Sequence, residues 1–181
     1  MELYTERLRI RPMTPADAPL VYAYRSLPEV ARFQSWQPRS VEEVTQRFIV
    51  HATQPPHEPD TWYPFAIELT SNGVLVGDCA IHLLSDIRQV ELGITLAPGF
   101  QRQGYATEAV RGVLRHVFED LGKHRAVASV DPRNTASMSL MRRVGFRLEG
   151  HLVQSVWFHG EWADDVVFGL LASEYKAGRV S

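Results

Sequence analysis

Hydrophobic and polar residues alternate in several short segments of the chain, which is the pattern of half-buried β-strands. Leu8 and Ile10 alternate with arginines near the N-terminus, and Phe65, Ile67 and Leu69 alternate further along. The tripeptide "SNG" then predicts a hairpin turn, and "LVGDCAIHLL" and "VELGITL" predict two more strands. A short apolar strand, "AVASV", and a final hairpin around "HGE" bring the prediction to about seven strands.

Apolar residues at helical spacing predict the helices between these strands. The clearest helix runs from Ala106 to Leu121, where the i, i+3, i+4 pattern persists for about four turns and Gly122 ends it. Ser40 and Glu43 fit a capping box and predict the start of another helix. "TPADAPLVYAYRS" and "NTASMSLMRRVGF" predict two more. The pattern indicates a mixed α+β domain with a mostly antiparallel sheet.

Composition narrows the class of protein. The chain has 181 residues, of which 45% are hydrophobic and 22% charged, so we expect one globular domain over residues 1–181. A net charge of −2 provides no basic face for nucleic acid. No apolar run approaches the roughly 20 residues that span a membrane, and the N-terminal segment shows no apolar core of a secretory signal. The single cysteine, Cys79, agrees with a cytoplasmic location.

The stretch "APGFQRQGYATEAV" combines a strand end, a glycine turn and a helix start. Backbone N–H groups at a helix N-terminus lack intrahelical partners and carry partial positive charge, so the amides from Arg102 to Thr107 are a candidate phosphate site. A plain strand-to-helix turn is the alternative. The sequence contains neither a Walker loop nor a Rossmann fingerprint. A phosphate-bearing cofactor other than ATP or NAD is therefore favoured.

These residues resemble a known signature. "QRQGYA" is similar to the Q/R-x-x-G-x-G/A motif of the GNAT superfamily of acyl-CoA-dependent N-acyltransferases, and "DPRNTASMSLMRRVGFRLEG" follows at the expected distance. The N-x-x-S and G-F pattern and the closing "WFHGEWADDVVFGLL" resemble the Rim-type branch, which includes ribosomal-protein N-terminal acetyltransferases. The resemblance implies the GNAT fold, in which the sheet splays between the fourth and fifth predicted strands and helices cover both faces.

The resemblance also implies a site for acetyl-CoA. The pyrophosphate would lie on the loop amides, and the pantetheine arm would run beside the strand "LGITL", where Gly93 is compatible with a bulge or a close approach of the backbone. Asn134 would bind the pantetheine arm, and Arg142 or Arg143 would meet a phosphate, although both arginines also suit a solvated helix end. The implied cofactor residues are Leu92, Ile94, Leu96, Gln101, Arg102, Gln103, Gly104, Tyr105, Ala106, Thr107, Asn134, Ser137, Arg142 and Arg143.

The chemistry implied by the resemblance is direct acyl transfer from the thioester to a primary amine. Glu91 is the candidate general base, and a water chain or a structural salt bridge are the alternatives. A backbone N–H at or near Ile94 or Leu96 would stabilise the oxyanion. Relatives often carry a tyrosine as general acid, but this chain has Met141 there, so Ser137 or solvent would protonate the leaving thiolate.

The acceptor stays open between a protein or peptide N-terminus and a small-molecule amine. We expect Trp36, His82 and one of two adjacent aspartates, Asp164 or Asp165, to contact it. The N-terminal branch carries a glutamate near the position of Val156, and this chain does not. A larger acyl group, a non-catalytic acyl-CoA-binding module, a nucleotide-binding regulatory domain and a homodimer through the final hairpin remain alternatives. We find no metal-ligand spacing and expect Cys79 to be an inert buried thiol.

Overall fold

The computed structural model describes residues 2–55 and 58–178. Within these ranges eight strands form one sheet in the order β1-β2-β3-β4-β5-β6-β8-β7, in which only β5 and β6 pair in parallel. The prediction missed one strand because β1 has two residues, too few for an alternation to be visible. The strands are β1 (Leu3–Tyr4), β2 (Leu8–Pro12), β3 (Thr61–Leu69), β4 (Leu75–Leu83), β5 (Gln89–Leu96), β6 (Arg125–Val130), β7 (Arg147–Phe158) and β8 (Glu161–Leu171).

Four helices lie where the sequence predicts them, and two short ones, Pro28–Ala31 and Ala172–Ala177, were not predicted. Ser40 accepts a hydrogen bond from the Glu43 N–H at 3.2 Å, which confirms the predicted cap. The long predicted helix continues beyond its α-helical part as a π-helical turn, His116–Asp120. The helices are α1 (Ala18–Arg25), α2 (Pro28–Ala31), α3 (Val41–Thr53), α4 (Tyr105–Arg115), α5 (Thr135–Arg143) and α6 (Ala172–Ala177).

Helices cover both faces of the sheet, as predicted. Ile67 of β3 belongs to the larger core, which α4 and α5 complete, whereas its neighbour Ala66 belongs to the smaller core beneath α1 and α3. Successive strand residues point to opposite faces, so one strand contributes to both cores. No helix in the described part of the chain is long and apolar enough to cross a membrane.

The sheet splays between β5 and β6. The two strands pair only where Gln89–Glu91 meet Arg125–Val127, and no further partners join them along the rest of β5. The predicted splay is therefore confirmed. The expected bulge at Gly93 is not present, because the β4–β5 ladder runs without a register shift and Gly93 pairs with Ala80. The splay results from the early end of β6 pairing, and β5 itself stays regular.

The backbone of β5 presents alternate residues to the splay. The Ala97 N–H donates to the Val76 carbonyl, and the Leu84 N–H donates to the Gln89 carbonyl, at opposite ends of the same ladder. In a regular antiparallel pair the residues that bond across the ladder alternate. Odd-numbered residues of β5 therefore bond to β4. Ile94 and Leu96, beyond the residues that pair with β6, direct their N–H and C=O groups into the gap.

Candidate active site

The loop before α4 forms a cradle of backbone amides. Arg102 and Gly104 both have positive φ, at 61° and 85°, which turns the chain sharply into the helix. The first helical residues, Tyr105 to Thr107, have N–H groups that lack intrahelical acceptors, at the positive end of the helix dipole. This geometry suits a pyrophosphate, in agreement with the amide site expected from the sequence.

Arg7 and Glu108 hold this cradle from behind. The Glu108 carboxylate accepts hydrogen bonds from Arg7 Nε and from the Arg7 N–H, each at 2.7 Å, and from Thr5 Oγ1 at 2.5 Å. Arg7 also donates to the Gln103 carbonyl at 3.1 Å and lies 4.5 Å from the centre of the Tyr105 ring. Burial opposes the charge of Glu108, but the hydrogen bonds from Thr5 and Arg7 lower its pKa overall. The N-terminal segment therefore fixes the loop conformation.

A cavity of about 530 Å³ opens above the cradle and runs along β5. It contains most of the residues expected to bind the cofactor, and its lining also includes Phe33 and Gln34 from the segment after α2. Arg143 reaches the cavity with its Nη1 atom 3.5 Å from Thr107 Oγ1. The expected residues that line it are Ile94, Leu96, Gln101, Arg102, Gly104, Ala106, Thr107, Asn134, Ser137 and Arg143.

Four expected cofactor residues lie outside this lining. Leu92 lines the neighbouring cavity instead. The Gln103 side chain donates to the Gly99 carbonyl at 2.9 Å, and the Tyr105 ring packs under Arg7. The Arg142 guanidinium lies 5.8 Å from the centre of the Phe168 ring. The structure thus separates two adjacent arginines, since only Arg143 faces the cradle.

A second cavity, of about 290 Å³, lies between β5, β6 and β8. Glu91 and Leu92 line it from β5, and Asp164 and Asp165 line it from β8. Both cavities share five lining residues, so they meet at the splay. The shared residues are Phe33, Gln34, Ile94, Asn134 and Ser137.

Glu91 belongs to a row of side chains that crosses three strands. Trp62, His82 and Glu91 are register partners on β3, β4 and β5. The Trp62 and His82 rings stack with centroids 4.7 Å apart, and His82 Nδ1 lies 3.5 Å from Glu91 Oε2. Trp62 and Glu91 line the smaller cavity, whereas His82 lies behind them and outside its lining. His82 therefore lies beside Glu91, and its Nδ1 atom has no hydrogen-bond partner among the described residues.

The start of α5 presents two polar residues where the cavities meet. Asn134 Oδ1 accepts a hydrogen bond from the Ser137 N–H at 3.1 Å, which caps the helix. Among the described residues the side-chain amide nitrogen of Asn134 has no acceptor, so this NH₂ group stays available to a ligand. Met141, one turn further along, is buried in the cavity wall, and no tyrosine replaces it there.

The smaller cavity is acidic. Glu91, Asp131, Asp164 and Asp165 line it, and its described lining contains no lysine, arginine or histidine. The Arg133 guanidinium lowers the pKa of Asp131. Hydrogen bonds from the Gln154 N–H and from His151 lower the pKa of Asp164. These groups keep both carboxylates ionised at neutral pH.

Trp36 and Cys79, which the sequence singled out, and two further tryptophans do not line either cavity. Trp36 lies outside both cavities, donates to Glu43 at 3.1 Å and packs against two arginines, Arg25 and Arg47. Trp157 and Trp162, both exposed, pack edge to face on each other. Cys79 is buried, which raises its thiol pKa and makes it inert. Within residues 2–55 and 58–178, no group of three or more His, Cys, Asp or Glu is arranged to hold a metal.

A buried polar network behind the cavity wall was not predicted from the sequence. Asp78 of β4 accepts hydrogen bonds from Tyr24 and from Arg25. Burial opposes the charge of Arg25, but the Asp78 carboxylate raises the Arg25 pKa overall, so the guanidinium remains protonated. Arg25 then donates to Gln34 and Thr95. No motif could reveal this network, because Arg25 and Asp78 are 53 residues apart.

Fold and site together define a class of protein. A mixed sheet that splays beside a phosphate cradle, with two cavities meeting at the splay, is the arrangement of an acyl-CoA-dependent acyltransferase. The sequence profile of the family described as "Acetyltransferase (GNAT) domain" matches residues 7–147. The chain belongs to this family and is an N-acetyltransferase. The membership confirms the predicted class, acetyl-CoA-dependent acetylation of amines.

Individual relatives agree with this assignment. The uncharacterized N-acetyltransferase p20 of Bacillus licheniformis is 30% identical over 175 residues, 96% of this chain and 97% of that protein. A GNAT acetyltransferase structure from Bacillus anthracis has a TM-score of 0.85 at 25% identity, covering 96% of this chain and 99% of that one. The ribosomal protein uS5-alanine N-acetyltransferase of Escherichia coli is 30% identical over 88 residues, 49% of this chain and 45% of that protein. This last relative agrees with the resemblance to the Rim-type branch.

Proposed function

We propose that this protein transfers an acetyl group from acetyl-CoA to a cationic primary amine by direct attack of the amine on the thioester. The observation that carries the proposal is the meeting of two cavities at the splay, one above a phosphate cradle and one lined by carboxylates. The donor and the acceptor can therefore approach each other from opposite sides of Ile94. We also propose that the protein is cytoplasmic, as expected from its single cysteine.

The residues that line the larger cavity fit acetyl-CoA, the acetyl donor. The larger cavity offers unpaired amides at the start of α4 and a guanidinium at Arg143 for the phosphates. The N–H and C=O groups of Ile94 and Leu96 point into the gap, where a pantetheine arm needs hydrogen-bond partners. The Leu96 carbonyl already accepts from Gln101 Nε2 at 3.1 Å, so Ile94 is the better placed of the two.

Four groups of the chain would carry the chemistry. When bound, acetyl-CoA supplies a thioester carbonyl that an amine can attack. A cationic amine first loses one proton to solvent, because only the neutral form has an electron pair for the attack. Glu91 removes the second proton, directly or through water, as the nitrogen bonds to the carbonyl carbon. The Ile94 N–H donates to the carbonyl oxygen as negative charge develops on it. Ser137, within reach of both cavities, passes a proton to the departing thiolate and regains one from solvent, while Asn134 orients the pantetheine arm.

The acceptor side favours a positively charged amine. Four carboxylates surround the smaller cavity, and aromatic rings of Trp62, Phe33 and Phe158 complete its wall. Carboxylates attract an ammonium group electrostatically, and aromatic faces add cation–π attraction. Val156 lines the same cavity and contributes no charge. A protein N-terminus and a small-molecule amine both meet this description.

The proposal is tested by replacing Glu91 with glutamine. We expect kcat to fall about 10²–10⁴-fold, because general base catalysis contributes that much, and the pH–rate profile to change. Thiol release from acetyl-CoA with a panel of amines is the measurement, and Glu6→Gln on the exposed N-terminal segment is the matched control. Unchanged kcat and pH profile would remove Glu91 from the mechanism. Tight acetyl-CoA binding without turnover on any amine would favour a non-catalytic acyl-CoA-binding module.

A further inference from the structure

Gln34 stands out where the two cavities meet. It lines both cavities, together with Ile94, yet it lies on the segment after α2 and belongs to no recognised motif. Its backbone is fixed, since the Gln34 N–H donates to the Ala31 carbonyl at 2.9 Å. A polar side chain at this junction lies close to where the thioester and the amine must meet.

The orientation of the Gln34 amide is set by its neighbours. Gln34 Oε1 accepts from Arg25 Nη1 at 3.0 Å and from Thr95 Oγ1 at 3.1 Å. A guanidinium can only donate, so the oxygen and not the nitrogen of the amide must face Arg25. Arg25 is itself held by the buried Asp78 and donates to Thr95 at 3.2 Å. The amide therefore cannot flip without breaking two hydrogen bonds inside a buried network.

This orientation leaves the Gln34 NH₂ group as a donor. Within the described residues Nε2 has no acceptor, while Oε1 has two donors. Thr95 directly follows Ile94, so the contact with Thr95 also places the Gln34 amide close to Ile94. The Ile94 N–H points into the gap between β5 and β6. Two donors, one from a side chain and one from the backbone, thus lie on the same side of the splay.

We propose that Gln34 is a catalytic residue that donates a hydrogen bond from Nε2 to the acyl carbonyl oxygen, as a second oxyanion donor beside Ile94. The inference rests on the proposed function and deepens it. As the amine nitrogen forms its bond to the carbonyl carbon, the π electrons move to the oxygen, which Gln34 and Ile94 stabilise. When that carbonyl re-forms, the carbon–sulfur bond breaks, the thiolate takes the electron pair, and the amine proton passes to Glu91.

A pair of substitutions tests the role of Gln34. Gln34→Glu keeps an oxygen for Arg25 and Thr95 but replaces the donor with an acceptor, and Gln34→Met removes both polar ends at similar length. We expect kcat to fall about 10²–10³-fold in both variants, as when one oxyanion donor is lost. Gln46→Glu on the exposed face of α3 is the chemical control, and thermal melts establish that each variant is folded.

A binding measurement separates this role from a merely structural one. CoA lacks the acyl carbonyl, so calorimetry should show acetyl-CoA affinity falling about 3–10-fold, the worth of one hydrogen bond, while CoA affinity stays unchanged. Equal loss of both affinities, or full kcat in Gln34→Met, would overturn the inference. If the wild-type protein acetylates no amine, the proposed function fails, and the acetyl-CoA and CoA comparison still decides whether Gln34 contacts the carbonyl.

Discussion

Two adjacent arginines show how much one residue position changes a role. Arg142 and Arg143 are equivalent in sequence, since both stand in the last turn of α5 and both are exposed. On a helix neighbouring residues point about 100° apart. Arg143 therefore faces the cradle beside Thr107, whereas Arg142 lies over Phe168.

We predict that Arg143→Ala weakens CoA binding and Arg142→Ala does not. A hydrogen bond to a charged group contributes about 1.5–3 kcal/mol, so the CoA dissociation constant should rise about 10–100-fold for Arg143→Ala. Calorimetric titration of CoA into both variants measures this, and the neighbouring substitution serves as the matched control. An equal effect of both substitutions would mean that general electrostatic attraction, and not a contact with Arg143, holds the phosphates.

At the scale of elements, the strand–loop–helix unit from β5 to α4 makes the cradle. Gly104 has φ of 85°, and a Cβ atom placed there would lie 3.2 Å from Arg7 Nη2. A side chain would therefore strain the backbone and displace the arginine that holds the loop. Gly122, beyond the π-helical turn, also has positive φ, at 60°, but a Cβ atom there would meet nothing within 4 Å.

This pair of glycines gives a matched experiment. Both Gly104→Ala and Gly122→Ala should lower the free energy of unfolding by about 1–2 kcal/mol, the cost of a left-handed conformation for an L-residue. Only Gly104→Ala should also weaken CoA binding, because it distorts the cradle. A loss of roughly 1.4 kcal/mol of binding free energy would raise the CoA dissociation constant about tenfold. Chemical denaturation and calorimetry are the two measurements. CoA affinity that is retained in Gly104→Ala would show that the cradle tolerates a shifted Arg7.

Elements were predictable from local patterns, and contacts between them were not. The cap at Ser40 and the apolar period of α4 lie in consecutive residues, so α3 and α4 follow directly from the sequence. Helices α2 and α6 are too short to show a period and were not predicted. The phosphate loop was identified because its glycine and its helix start are adjacent. Gln34 was missed, since its role depends on Arg25 and Thr95, which reach it only through the fold. Of the two alternatives at Gly93, a bulge or a close approach of the backbone, the bulge was wrong because the β4–β5 ladder keeps its register through Gly93.

At the scale of the whole molecule, the splay divides the sheet into two parts. Strands β1 to β5 and strands β6 to β8 share only three register pairs. The larger cavity lies across this division, with Ile94 and Leu96 on one side and Asn134 and Ser137 on the other. An acetyl-CoA or CoA molecule bound there would contact both parts of the sheet at once. The free energy of its binding should therefore oppose separation of β1–β5 from β6–β8.

We therefore predict that CoA raises the thermal stability of the whole chain in one cooperative transition. At a CoA concentration 100 times the dissociation constant, linkage gives about 2.7 kcal/mol of stabilisation. For a chain of 150–250 residues, each kcal/mol raises Tm by about 2–4 °C, so the expected increase is about 5–10 °C. Differential scanning calorimetry with and without CoA measures it, and Arg143→Ala at the same CoA concentration should show a smaller increase. Two separate transitions, of which CoA moves only one, would mean that the donor contacts a single part of the sheet. In that case the cavity would not bridge the splay in solution.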